Sequence, residues 1–245
     1  MSEQNIVIQH GDDPMPEGVR NRHYGGVGTD LRPSRLLRLP PGSVRPEGWI
    51  AEQLEMLASG LTGRLEEISE FLTPDNGWLA GKGIGWEEQP YWFRGFVLLA
   101  ILTGREELLG RVDHWIESMI ATKRNDGFFG PEHLSDRRIA FGQRAVDLWG
   151  HMTMSDALEF AYEYSGDERI LDLLAGFYTW AGSLPDELFL PFPFRTFTER
   201  NGIIKHLFEG YGKLHIQMRR AGELVPHLHW LYDRTGEKRF LATAE

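Results

Sequence analysis

A chain of 245 residues with a formal net charge of -10, no basic patch and no cysteine is poorly suited to nucleic acid or anionic membrane surfaces. It also offers no disulfide framework, thiolate nucleophile or cysteine-based metal site. Hydrophobic residues make up 41%, enough for a packed core in one large domain or two small ones.

Residues 1–36 are rich in Gly, Asp, Arg and Asn without periodicity and read as an irregular arm; residues 37–245 read as the folded unit. Met1 to Asp12 is polar and acidic and lacks the pattern of a signal peptide. Leu37 to Val44 carries a Pro-Pro-Gly turn, and Arg45-Pro46-Glu47-Gly48 precedes the first helix. Trp49, Ile50, Leu54 and Leu57 form an apolar stripe on a helix ending near Ser59. Tyr91 to Leu102 is a second helix, apolar nearly all round apart from Arg94. Its longest apolar run, Phe96 to Leu102, is far too short to span a bilayer. The expectation is a soluble, cytoplasmic protein. Leu108, Val112, Trp115, Ile116 and Met119 mark a third, amphipathic helix. Residues 147–164 hold a fourth, and Ile170 to Trp180 a fifth. A loop-rich insertion runs from Pro185 to about Leu214. A sixth helix spans about Arg220 to Tyr232, with Pro226 suited to a first turn, and a seventh begins near Glu237.

The second, fourth and sixth helices are the more apolar; the third and fifth are amphipathic. That alternation is expected of an inner and an outer helical ring. An internal repeat agrees with it. Leu102-Thr103-Gly104-Arg105-Glu106-Glu107, Tyr164-Ser165-Gly166-Asp167-Glu168-Arg169 and Arg234-Thr235-Gly236-Glu237-Lys238-Arg239 each read as a helix end, a Gly for a left-handed cap and a charged new start. The glycines stand 62 and 70 residues apart, longer than common solenoid units and suited to helical hairpins with long loops at one end. Thirteen residues before each Gly, Tyr91, Thr153 and Glu223 fall near the starts of the three inner helices. If these ring one axis, their starts gather at one mouth. The loops Asp75 to Pro90, Asn125 to Val146 and Pro185 to Leu214 open there too.

The residues at these starts suit a sugar, which needs flat apolar faces for its C–H groups and polar groups for its hydroxyls. Trp86, Glu87, Glu88, Gln89, Tyr91, Trp92 and Arg94 lie at the first start, Asp147, Trp149 and His151 at the second, and Arg219, Arg220 and Glu223 at the third. Each has a structural alternative. Pro90 fits a first turn, with Glu87 and Glu88 merely favouring the helix dipole. Trp92 suits the core, Arg94 an ion pair, and Asp147 an N-cap. His227 and His229, two residues apart, face different sides of one helix, which argues against a metal there.

Together, Pro41-Gly42-Ser43-Val44-Arg45-Pro46-Glu47-Gly48-Trp49-Ile50, Gly60-Leu61-Thr62-Gly63, Trp86-Glu87-Glu88-Gln89-Pro90-Tyr91-Trp92, Asp126-Gly127-Phe128-Phe129-Gly130-Pro131 and Asp147-Leu148-Trp149 resemble the β-L-arabinofuranosidase family of glycoside hydrolases, specifically its poorly characterised branch. The resemblance covers about residues 36–245 and implies an all-α, six-hairpin (α/α) toroid followed by β-sandwich domains, with retaining hydrolysis of a terminal furanoside. In characterised members a Cys is the nucleophile, a Glu the acid/base, and zinc is held by further Cys and a Glu, all in later hairpins. None of these carries over to this chain, which spans about three hairpins. No cofactor or metal is therefore expected within it, with zinc implied only for a longer product. Gly150-His151 is a counterpart for a sugar-facing His. The seventh helix ends at Glu245 without a stop signal. The expectation is a longer natural product, or self-association through the flanks of an open half-ring.

Three functions compete. A glycosidase module would need a cleft at the mouth, and Glu87 or Glu88 with Asp147 is the only sensible carboxylate pair among the residues named. An unsaturated-uronide hydrolase or polysaccharide lyase would use Arg94, Arg219 and Arg220 for a uronate. A helical-repeat binding module would hold a partner and cleave nothing.

Overall fold

The computed structural model describes residues 38–138, 144–189 and 214–245. The proposed arm and most of the Pro185 to Leu214 insertion lie outside them.

The described residues are mainly helical. Helix α1 spans Trp49–Ser59, followed by α2, Leu61–Arg64, and a 3₁₀ turn at Leu65–Glu67. Helix α3, Gly77–Ala80, precedes α4, Glu88–Thr103, and α5, Glu106–Thr122. A 3₁₀ turn at Glu132–Leu134 leads to two short strands, β1 (Arg137–Arg138) and β2 (Arg144–Ala145), paired antiparallel with Arg137 opposite Ala145. Next come α6 (Trp149–Ser165), α7 (Glu168–Gly182) and α8 (Asp186–Phe189). After residue 213 come α9 (Leu214–Arg220), a 3₁₀ turn at Ala221–Leu224, α10 (Val225–Thr235) and α11 (Lys238–Ala244). No helix among the described residues is long and apolar enough to cross a membrane.

The repeat glycines behave as read. Gly104, Gly166 and Gly236 cap α4, α6 and α10 with φ of 64°, 71° and 71°, a conformation that costs glycine little. One further residue, in extended conformation, then starts the next helix: Arg105, Asp167 or Glu237. The Asp167 side chain accepts from Arg169 N at 3.0 Å, completing one cap. Each pair so joined packs together. Pro90 is the third residue of α4 rather than its first. It still lies where an N–H would lack an intrahelical acceptor, so the ring costs no hydrogen bond.

Helix α4 is buried on most sides, packed between α1, α5 and above all α6. The amphipathic α5 and α7 bury one stripe each. Helix α10 differs from its reading as an apolar helix. It buries only His227, Leu228, Leu231 and Tyr232, because it rests on α6, α7 and α11 along one side. Helix α1 leaves Trp49, Ile50, Met56 and Leu57 exposed, all on one face at helical spacing.

Helix α6 is the axis of the packing. It touches α4, α7, α9 and α10 and buries residues from nearly its whole circumference. Its first turn sits directly on the loop before α4. The α3 N-cap Asn76 accepts from Trp78 N at 2.9 Å and from Leu79 N at 3.3 Å, which seats the buried Trp78 indole so that its Nε1 donates to Trp86 O at 3.2 Å. Gly150 passes against this pair. A Cβ there would stand 2.5 Å from Trp86 O and 2.9 Å from the Trp78 ring. A Gly-to-Ala change inside a helix ordinarily stabilises by about 0.5–1 kcal/mol. Gly150→Ala is instead expected to lower Tm, for a loss of about 1–3 kcal/mol from overpacking. A raised Tm in thermal denaturation would mean that α6 does not seat against Trp86.

Candidate functional site

The three helix starts do meet. From the first, Trp86 Nε1 donates to Asp147 Oδ2 at 3.1 Å, and Glu87 accepts from the Trp149 indole N–H. The Tyr91 ring lies against that of Trp149 with centroids 6.3 Å apart. From the third, the Arg220 guanidinium stands 5.1 Å over the Trp149 ring and pairs with Glu223. Trp149, at the start of α6, is the residue all three share, and it is itself buried, at 2% exposure.

Not every candidate faces outward. Trp92 belongs to the core: it stacks on Phe96 at 4.6 Å, lies 5.4 Å from Trp115 and donates through Nε1 to Thr62 O at 3.0 Å. An apolar helix covered by neighbours on several sides leaves no room for a sugar platform there. Trp86 is buried as well, and Gln89 locks its turn, accepting from Trp86 N at 3.2 Å and donating to Phe71 O at 2.6 Å. Asp147 is fully buried. It accepts from Trp86, from Arg137 and, through Oδ1 at 3.2 Å, from Trp149 N. It thus ties the β-ribbon and the α4 lead-in to the start of α6, and cannot serve as the partner carboxylate of Glu87 or Glu88. Gln217 on α9 makes a parallel tie, accepting from Leu148 N and donating to Val146 O at 2.9 Å and Phe189 O at 2.8 Å.

His151 is likewise a core residue. Its ring stacks on Phe177 at 4.4 Å and 8°, boxed by Trp78, Phe128 and Phe129. Nε2 lies 2.7 Å from Phe129 O and carries the proton, leaving Nδ1 without a partner. Burial holds the ring neutral and pulls its pKa down to about 4.

What remains towards solvent at the mouth is Tyr91, Arg94, Arg219 and Arg220, with Glu87, Glu88 and Glu223 half-buried. Arg94 lies 5.5 Å over the Tyr91 ring and pairs with Asp156 Oδ2 at 2.9 Å, the two side chains 41% and 35% exposed. This fits the ion-pair alternative for Arg94 while leaving it accessible.

Asp156 begins a polar seam that the sequence reading missed. Asp156, Glu159 and Glu163 descend one face of α6 at i, i+3 and i+7, and Glu159 and Glu163 are buried. Helix α10 answers with His227, Trp230 and Arg234 at the same spacing. His227 Nδ1 lies 2.6 Å from Glu159 Oε1, and Trp230 Nε1 donates to Glu163 at 3.0 Å beside Arg234 at 3.4 Å. Burial pushes the Glu159 carboxyl up, against the His227 contact that favours its ionised form. Burial pulls the His227 imidazole down, and the Glu159 hydrogen bond and charge more than reverse this, so its pKa is raised. The signal was available in the sequence: carboxylates on an otherwise apolar helix, matched in spacing by a His-x-x-Trp-x-x-x-Arg run.

Comparison with family models, curated proteins and solved structures finds no match to this chain.

His151 gives the site a pH test. Its folded pKa lies below the unfolded 6.5, so the unfolded chain binds a proton in between, and stability falls as pH drops from about 6.5 towards 4, by on the order of 3 kcal/mol. His151→Phe keeps the aromatic box and is expected to flatten that part of the slope in urea denaturation at pH 7 and 4.5. An unaltered slope would mean that His151 is not held neutral in the core.

Proposed function

We propose that the chain is a carbohydrate-binding module of glycoside-hydrolase type, built as part of an (α/α) helical-hairpin toroid, with its ligand at the joined starts of α4, α6 and α10. The observation that carries this reading is one surface cluster: the exposed Tyr91 ring, backed by the buried Trp149 indole, and the accessible Arg94–Asp156 pair. A ring that is open on one face takes sugar C–H groups, and a planar guanidinium beside a carboxylate takes vicinal hydroxyls. The left-handed turns and the alternation of buried α4 and α6 with amphipathic α5 and α7 support the toroid, with about three of six hairpins present. The resemblance to the β-L-arabinofuranosidase family belongs to the same reading, and so does self-association through an open half-ring.

Asp147 being locked in the core, the accessible carboxylates at this surface are Glu87, Glu88, Asp156 and Glu223. The module holds a sugar through these. A second reading, an acidic sugar such as an unsaturated uronide, is favoured by the exposed Arg220, which stands 5.1 Å over the Trp149 ring, and by the exposure of its neighbour Arg219.

Calorimetric titration with neutral pentose and hexose oligosaccharides and with uronate-containing ones tests both. Neutral sugars are expected to bind, and Tyr91→Ala to weaken them about tenfold, a loss of about 1.4 kcal/mol. A preference for uronates that Arg220→Gln abolishes would establish the second reading. No binding of either class, or binding indifferent to Tyr91→Ala, would overturn the assignment of this surface.

A further inference from the structure

We propose that Asp156, Glu159 and His227 form a binding site for one divalent transition-metal ion, zinc by the chemistry of its donors. The proposal does not depend on the sugar reading.

Each of the three residues offers one ligand atom, and these atoms all lie within 4.8 Å of one another. They come from two elements. Asp156 and Glu159, at i and i+3, share a face of α6, and His227 reaches across from the first turn of α10. Nitrogen and carboxylate oxygen without thiolate is a donor set that zinc accepts, and three protein ligands with an open position is the pattern of its catalytic sites. Bonds of about 2.0–2.2 Å require the Glu159 and His227 atoms, now 2.6 Å apart, to part slightly and the Asp156 carboxylate to close in.

Two further observations point to a cation rather than to an ordinary ion pair. First, the three donors converge where two would suffice. Glu159 Oε1 and His227 Nδ1 lie 2.6 Å apart, and a hydrogen bond between them needs only those two atoms. Asp156 places a ligand oxygen within 4.8 Å of both, bringing a second carboxylate that the Glu159–His227 hydrogen bond does not use. Second, the outer contacts have the arrangement that orients metal ligands. With Nδ1 directed at Glu159, the imidazole also hydrogen-bonds to the Met152 backbone, which fixes ring orientation as a backbone carbonyl does for ligating histidines. Asp156 is held in turn by Arg94.

The site also has an entrance and a dry floor. Glu159 and His227 are buried, at 6% and 5% exposure, while Asp156 is partly open beside Arg94. A hydrated ion would reach Asp156 first, then lose water to the buried pair. On binding, the proton between Glu159 and His227 passes to solvent, since both ligands must be bare. The remaining coordination positions would be open to water.

The test uses the full chain, stripped with a chelator and titrated with Zn²⁺, with Co²⁺ as an optical probe. One equivalent is expected to bind, with a rise in Tm and visible Co²⁺ absorption of a four- or five-coordinate N/O site. Asp156→Asn, a change at a partly exposed position, is expected to fold and to weaken Zn²⁺ binding at least about 100-fold, the scale of losing an important metal contact. Asp126→Asn, on the loop after α5, is expected to bind as the parent does. His227→Gln should abolish the Co²⁺ bands, and Asp156→Asn decides alone should His227→Gln fail to fold. No binding tighter than millimolar, or tight binding that Asp156→Asn leaves unchanged, would overturn the site and leave Glu159 and His227 as an ion pair only.

Discussion

Helix α6 must be buried on several sides at once while carrying Asp156, Glu159 and Glu163, and the positions of its neighbours follow from that constraint. A carboxylate removed from water is costly unless a partner reaches it. Each of the three is reached from a different place: Asp156 from Arg94 on α4, Glu159 from His227 and Glu163 from Trp230 and Arg234 on α10. Apolar packing alone would tolerate α10 sliding along α6. The matched spacing of donors and carboxylates does not, because a slip of one turn would leave buried charges without their partners.

The same device recurs at the other end of the helix. Asp147, just before α6, gathers Trp86, Arg137 and its own helix N-terminus, and Gln217 gathers Leu148, Val146 and Phe189. Buried polar groups with several partners fix register more sharply than apolar contact does. Between these ties Trp149 is held by Glu87 and covered by Tyr91 and Arg220. The surface proposed to take a ligand is thus positioned by polar ties on both sides.

Much of this was legible in the sequence, and what was not has a physical reason. The left-handed turns at Gly104, Gly166 and Gly236 were readable because only glycine adopts that backbone cheaply. They fixed which helices pair and which ends lie together. That the segments at the starts of α4 and α6 and just before α10 come together was expected from the register combined with a common axis. Which side chains there face solvent did not follow, since a position near a helix start leaves the direction of the side chain open. Trp86, Gln89, Trp92, Asp147, Trp149 and His151 therefore looked like site residues and are buried. The opposite miss, Glu159 and His227, arose because carboxylates and histidines on a helix are usually solvated. Only the pairing of α6 with α10, a tertiary fact, makes them a buried set. The short α3 went unread, although Asn76 before Gly77 carries the ordinary N-cap signature. Gln217 gave no local signal, because its partners lie some 70 residues away along the chain for Leu148 and Val146.

Sugar contact is expected at the surface over the buried Trp149 and not elsewhere on the helices. The indole N–H resonances of the eight tryptophans provide a direct readout in a heteronuclear NMR titration with a neutral oligosaccharide. Saturable movement of the Trp149 signal, whose N–H is bonded to Glu87 at that surface, is expected, while the signals of Trp92 and Trp115, deeper among the helices, stay still. Movement of Trp92 and Trp115 with Trp149 unmoved, or no movement at any sugar concentration, would contradict it.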